Sequence, residues 1–180
     1  MNDRDWQKIG ALLVESTQGL FQKLGATLES RGTHESGAFV DEMTVAVIGF
    51  AGDAMRGSLV IGAARVAWKK THPLAADRPT LSEDDVRDWA GELANQLIGR
   101  LKIRLLRHGI TIQLGTPTTM SGRDFKLGPA VTKVMSSQHR FEMGSDWVIV
   151  RLDAVVDEGV TLQEAAEPTS EEDDGGTFIF

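Results

Sequence analysis

The sequence predicts an α+β fold in which long helices pack against a largely antiparallel sheet. Three observations point there. Two segments space their apolar residues at the helical period, the β-rich runs pair naturally as hairpins without a clear β-α-β crossover, and the order helix then strands occurs twice. The repetition, in residues 4–63 and 82–153, reads as a pseudo-duplication of element order, with only faint similarity residue by residue.

The first helix is expected from about Arg4 to Ser30, where Trp6, Ile9, Leu12, Leu13, Leu20, Phe21, Leu24 and Leu28 recur at helical spacing before Ser30, Arg31 and Gly32. Residues 31–41 have no period and read as a loop. Met43–Phe50 and Ser58–Ala63 form a hairpin around a longer turn, Ala51–Gly57, and Val66–His72 adds a short helical piece before Pro73. After a connector with two prolines, Ser82 and Asp85 form a capping-box variant that starts a long helix ending near His108, with Gly109 as the left-handed stop. Ile110–Leu114 alternates as a strand until Gly115 and Pro117 interrupt it. Val131–Met135 reads as a short strand, and Arg140–Met143 with Trp147–Leu152 as a hairpin around Gly144, Ser145 and Asp146.

At 180 residues and 41% hydrophobic content, the chain suits one core and one domain, assigned to residues 1–163. Residues 164–180 read as an acidic flexible tail. They hold Glu164, Glu167, Glu171, Glu172, Asp173 and Asp174 and no Lys or Arg, so of the net charge of −7 only −1 belongs to the rest. The tail closes on Thr177, Phe178, Ile179 and Phe180, which suit either a tethered peptide ligand or an added strand on this chain or a second copy. No basic stripe with interleaved aromatics appears, so nucleic acid is not the expected partner. Arg100, Lys102, Arg104 and Arg107 cluster where cations complement a helix dipole. Neither a membrane span nor a signal peptide is apparent, and a cytoplasmic location is expected. Zero cysteine excludes disulfides and thiolate chemistry, and four scattered histidines give no metal-binding spacing.

The most informative pattern lies inside the long helix: Asp88, Glu92, Asn95 and Gly99, a D-x-x-x-E-x-x-N-x-x-x-G spacing. At 100° per residue they share a sector of about 60°, while Val86, Trp89, Leu93, Leu97 and Leu101 crowd the other side. Charged and amide residues on a solvated helix face are ordinary, and a bare E-x-x-N occurs by chance. The glycines change the balance. Gly99 and Gly91 each cost about 1 kcal/mol against alanine in a helix interior, which close packing or the close approach of another molecule would offset.

With those four residues, GELANQLIGRLK (Gly91–Lys102), GTPTTMSG (Gly115–Gly122) and LLVESTQGLFQKLG (Leu12–Gly25), the chain resembles the CheC, CheX and FliY family of chemotaxis phosphatases, most closely CheX, over roughly residues 4–155. The resemblance implies a phosphatase that hydrolyses the phospho-aspartate of a CheY-like response regulator. It marks Glu92 and Asn95 as catalytic and Asp88, Gln96 and Gly99 as partner-binding. Family members carry one or two E-x-x-N elements. The first helix here offers only Glu15 and Gln18 with no glycine in register, so one active site is expected. No metal is expected on this chain; Mg²⁺ would belong to the receiver domain. A homodimer through sheet edges is a further implication. A non-catalytic adaptor that binds a response regulator through the same helix face is the alternative.

The chemistry is consistent with those roles. Acyl-phosphate hydrolysis needs an in-line water and charge neutralisation more than covalent help. A neutral carboxamide at Asn95 can accept from water and donate to a phosphoryl oxygen without adding negative charge. A carboxylate would be repelled by phosphate, so Glu92 is expected to pair with the receiver's active-site lysine and fix docking register.

Overall fold

Seven antiparallel strands form one sheet, in a computed structural model that describes residues 1–33, 42–76, 80–125 and 134–164. In chain order the elements are α1 (Asp3–Lys23), β1 (Glu29–Thr33), β2 (Met43–Ala51), β3 (Met55–Ala64), α2 (Arg65–Thr71), α3 (Glu83–Arg107), β4 (Gln113–Leu114), β5 (Thr118–Gly122), β6 (Met135–Met143) and β7 (Asp146–Val156). The expected fold class is the observed one. The sheet order is β1-β6-β7-β3-β2-β4, with β5 also paired to β2.

That order gives the pseudo-duplication a physical form. β3 and β7 meet at the centre in a nine-pair register from Met55↔Val156 to Ala63↔Val148. The first half then lends β1 to the other, where it pairs with β6, and the second half lends β4 and β5, which pair with β2.

The strands alternate as a half-buried sheet requires. Ala46, Ile48 and Phe50 of β2, Leu59 and Ile61 of β3, Phe141 of β6 and Val148, Val150 and Leu152 of β7 form one apolar cluster with Ile9, Leu13, Leu20 and Phe21 of α1 and Val86, Leu93, Leu97 and Leu101 of α3. The intervening residues Met43, Val45, Val60 and Ile149 form a second, smaller cluster.

Several boundaries differ from the sequence expectation. α1 stops at Lys23 rather than Ser30, because Gly25 adopts φ 77° and the turn closes through Gly25 N–H to Gln22 O and Ala26 N–H to Phe21 O. Leu28 still reaches the core, but ahead of a strand: Glu29–Thr33, expected as helix end and loop, is β1. The first hairpin turn is shorter than expected, with β3 already begun at Met55 and Gly52 N–H bonded to Met55 O.

Only Gln113–Leu114 of the Ile110–Leu114 segment is strand. Ile110 and Ile112 are buried in the core without pairing, while Thr118–Gly122, beyond the interruption at Gly115 and Pro117, pairs along β2 from Met43 to Val47. β6 and β7 extend well beyond the expected hairpin. Of the expected Val131–Met135 strand, 131–133 lie outside the described residues, and Met135 opens β6. The tail assigned to 164–180 also lies outside them, apart from Glu164.

Candidate functional site

α3 begins where the sequence requires it. Asp85 N–H donates to Ser82 Oγ at 3.0 Å and Ser82 N–H to Asp85 Oδ2 at 2.8 Å, closing a capping box, with Glu83, Asp84 and Asp85 in the first turn. It ends at Arg107, with Gly109 at φ 79°. Val86, Ala90, Leu93, Ala94, Leu97, Ile98, Leu101 and Leu105 are buried. Trp89, half-buried, anchors the helix sideways: its indole N–H donates to Thr71 Oγ1 at 3.1 Å and its ring lies 5.4 Å from that of His72.

The five predicted site residues lie on the opposite side. Asp88 and Asn95 are exposed, and Glu92, Gln96 and Gly99 are half-buried. Gln96 donates its amide N–H to Glu92 Oε1 at 2.8 Å, so one carboxylate oxygen is held from within the helix. The neighbouring Asn95 behaves differently. Among the described residues, its carboxamide makes no hydrogen bond, leaving both the carbonyl and the amide available to an external water and an external anion.

The two helix-interior glycines separate into different functions. A Cβ on Gly91 would lie 3.4 Å from Thr119 Cγ2 and 3.8 Å from Pro117 Cγ, so this glycine brings α3 close to the chain entering β5. A Cβ on Gly99 would have nothing within 4 Å. Among the described residues no contact at this position offsets the helix cost of Gly99, which leaves its backbone open to an approaching molecule.

The first helix is built for a different task. Glu15 forms an ion pair with Arg104 of α3 at 2.6 Å, and Gln18 donates to Leu28 O at 3.1 Å, tying α1 to α3 and to the approach to β1. The position in register with Gly99 is Gln22. Arg104 thus serves a helix–helix bridge in addition to the dipole role expected for it.

Sequence reasoning ended the face at Gly99. The helical period carries it on to Ile103, half-buried, and Leu106, exposed. Counting turns past Gly99 finds both.

Elsewhere, Ser137 Oγ lies 2.8 Å from His139 Nε2, a pairing that could suggest nucleophilic chemistry. Both residues are buried beneath Gly10 of α1, where even an added Cβ would lie 2.9 Å from Ser137 Oγ. Burial holds the His139 pKa below its usual value. Among the described residues no group of three or more His, Asp or Glu is placed to hold a metal ion, and no helix is long and apolar enough to cross a membrane.

The chain is an α+β protein that packs α1 and α3 on one seven-stranded antiparallel sheet and carries a half-buried Glu92 and an exposed Asn95 on its long helix. Residues 44–138, which include the whole motif, match the family described as chemotaxis phosphatase CheX. The chain belongs to the CheX family.

Solved structures share its fold. A CheC-like superfamily protein from Shewanella sp. PV-4 is 18% identical with a TM-score of 0.71, covering 86% of this chain and 99% of that one. Chemotaxis protein CheX from Vibrio vulnificus is 16% identical with a TM-score of 0.72, covering 82% and 99%. A chain of the CheX–CheY–BeF3–Mg²⁺ complex from Borrelia burgdorferi is 12% identical with a TM-score of 0.61, covering 80% and 96%. No curated protein matches the chain.

Proposed function

We propose that this protein hydrolyses the phospho-aspartate of a CheY-like receiver domain in a bacterial two-component or chemotaxis pathway, with Asn95 as the water-positioning group. The observation that carries the reading is the contrast along α3. Among the described residues Asn95 is exposed and uncommitted, while Glu92, one turn before it, is held by Gln96 with a second carboxylate oxygen to spare. Family membership and the existence of a CheX–CheY complex from Borrelia burgdorferi support the partner class.

In this mechanism Glu92 pairs with the receiver's active-site lysine and sets the register of docking. Gln96 is a positioning residue that fixes the Glu92 rotamer, and Asp88 extends the acidic contact at the edge. Gly99 lets the receiver backbone approach. Asn95 then accepts from a water with its carbonyl, aligning it with the leaving aspartyl oxygen, and donates from its amide to a phosphoryl oxygen. Water attacks phosphorus, the P–O bond to the aspartate breaks, and inorganic phosphate leaves with the receiver's carboxylate restored. Mg²⁺ belongs to the receiver, and this chain supplies no ligand to it.

The test is incubation of the purified protein with a panel of phosphorylated receiver domains and Mg²⁺. At least one receiver should lose its phosphoryl group faster than by spontaneous decay. Binding without acceleration across the panel would instead identify an adaptor.

A further inference from the structure

The helix face that carries Asn95 continues past Gly99. Leu106 lies about five turns, roughly 27 Å, beyond Asp88 and returns to the same azimuth, with Ile103 beside it. Leu106 is 53% exposed. A single exposed leucine is ordinary on a protein surface. This one stands in line with a carboxylate, a carboxamide and a glycine that has open space above it.

We infer that the α3 face is a two-part docking surface for a receiver domain: Asp88, Glu92 and Asn95 meet the phosphorylated pocket, and Ile103 and Leu106 seat an apolar patch on the same partner. The inference rests on the preceding section for the class of partner, not for the chemistry. Exposed charge pairs contribute only about 0–1 kcal/mol each, so the acidic end supplies register but little residence. The apolar end supplies residence. A standard interface presents a patch about 30 Å across on each partner, close to the span from Asp88 to Leu106. Asn95 falls inside that span rather than at its end, so contact on both sides would exclude bulk water around the phosphoryl group. Gly99 lies between the two parts, where nothing among the described residues lies within 4 Å of an added Cβ. Leu106 is about 16 Å along the helix from Asn95, which places the complementary aliphatic or aromatic patch at a similar distance from the receiver's phospho-aspartate.

The test measures binding of the full chain to receiver domains loaded with BeF3⁻ and Mg²⁺ as a stable mimic of the acyl phosphate. Leu106→Glu should raise Kd about tenfold, and Leu106→Ala by less, with unchanged circular dichroism. An unchanged Kd for Leu106→Glu overturns the inference, as does a panel in which no receiver binds the wild type. It is equally overturned if Leu106→Glu alters only the sedimenting mass, which would assign the face to a second copy. The same holds if Phe178→Ser with Phe180→Ser abolishes the Leu106 effect, which would assign it to the chain's own tail. Receivers that bind through Leu106 yet are not hydrolysed leave this surface standing and refute only the phosphatase reading.

Discussion

Gln96 and Glu92 are joined by a 2.8 Å hydrogen bond across one turn of α3, so the carboxylate is oriented before any partner arrives. Preorganisation of this kind lowers the entropy cost of forming a specific ion pair at an interface. Gln96→Leu should therefore weaken receiver binding a few-fold through a looser Glu92, and Glu92→Ala should weaken it further. Titration of a BeF3⁻-loaded receiver with both variants decides this. Equal affinity for wild type and Glu92→Ala would refute the pairing.

The open space above Gly99 gives an unusual pair of outcomes at one position. Gly99→Ala should raise stability by about 0.5–1 kcal/mol, because the backbone is helical and nothing meets the new methyl. Gly99→Leu should also fold, by circular dichroism, but exclude the receiver. At Gly91, where Thr119 and Pro117 already sit at contact distance, a leucine should instead lower the melting temperature.

Glu15 and Gln18 provide the control for a single active site. Their side chains are committed to Arg104 and to Leu28 O. Glu15→Ala and Gln18→Ala should leave turnover unchanged while costing about 1 kcal/mol or less each in stability. A halving of turnover in either variant would show that α1 carries a second site.

His139 makes stability depend on pH. Its folded pKa lies below the unfolded value of about 6.5 because burial disfavours the charged ring. The unfolded chain therefore binds the proton more readily. The contribution from the neutral ring is fully present above about pH 6.5 and declines as pH falls from there through the folded pKa. Urea melts at pH 7.5 and 5.5 should show a larger loss for wild type than for His139→Gln. Parallel losses would assign the acid sensitivity to other groups.

Much of this was legible in the sequence because period and punctuation agreed. Ser82, Asp85 and Gly109 bounded α3 correctly, and its apolar spacing put Glu92 and Asn95 on the solvent side. α1 was overextended because Leu28 stays in helical phase with Leu24 across the Gly25 stop, and local phase cannot tell a buried loop leucine from a helical one. β1 and β5 were missed for a different reason: Glu29–Thr33 and Thr118–Gly122 are edge-strand sequences whose partners are distant in the chain. Their pairing with β6 and β2 is tertiary. The Gln96 hydrogen bond required a rotamer, and the difference between Gly91 and Gly99 required neighbours that only the folded chain supplies.

The central claim is tested most directly by following the decay of a phosphorylated receiver domain with wild type and Asn95→Ala, alongside their affinities for the BeF3⁻-loaded form. The account predicts a loss of turnover of about 100-fold or more in Asn95→Ala with nearly unchanged affinity. Full turnover in that variant, or loss of affinity in step with turnover, would contradict it.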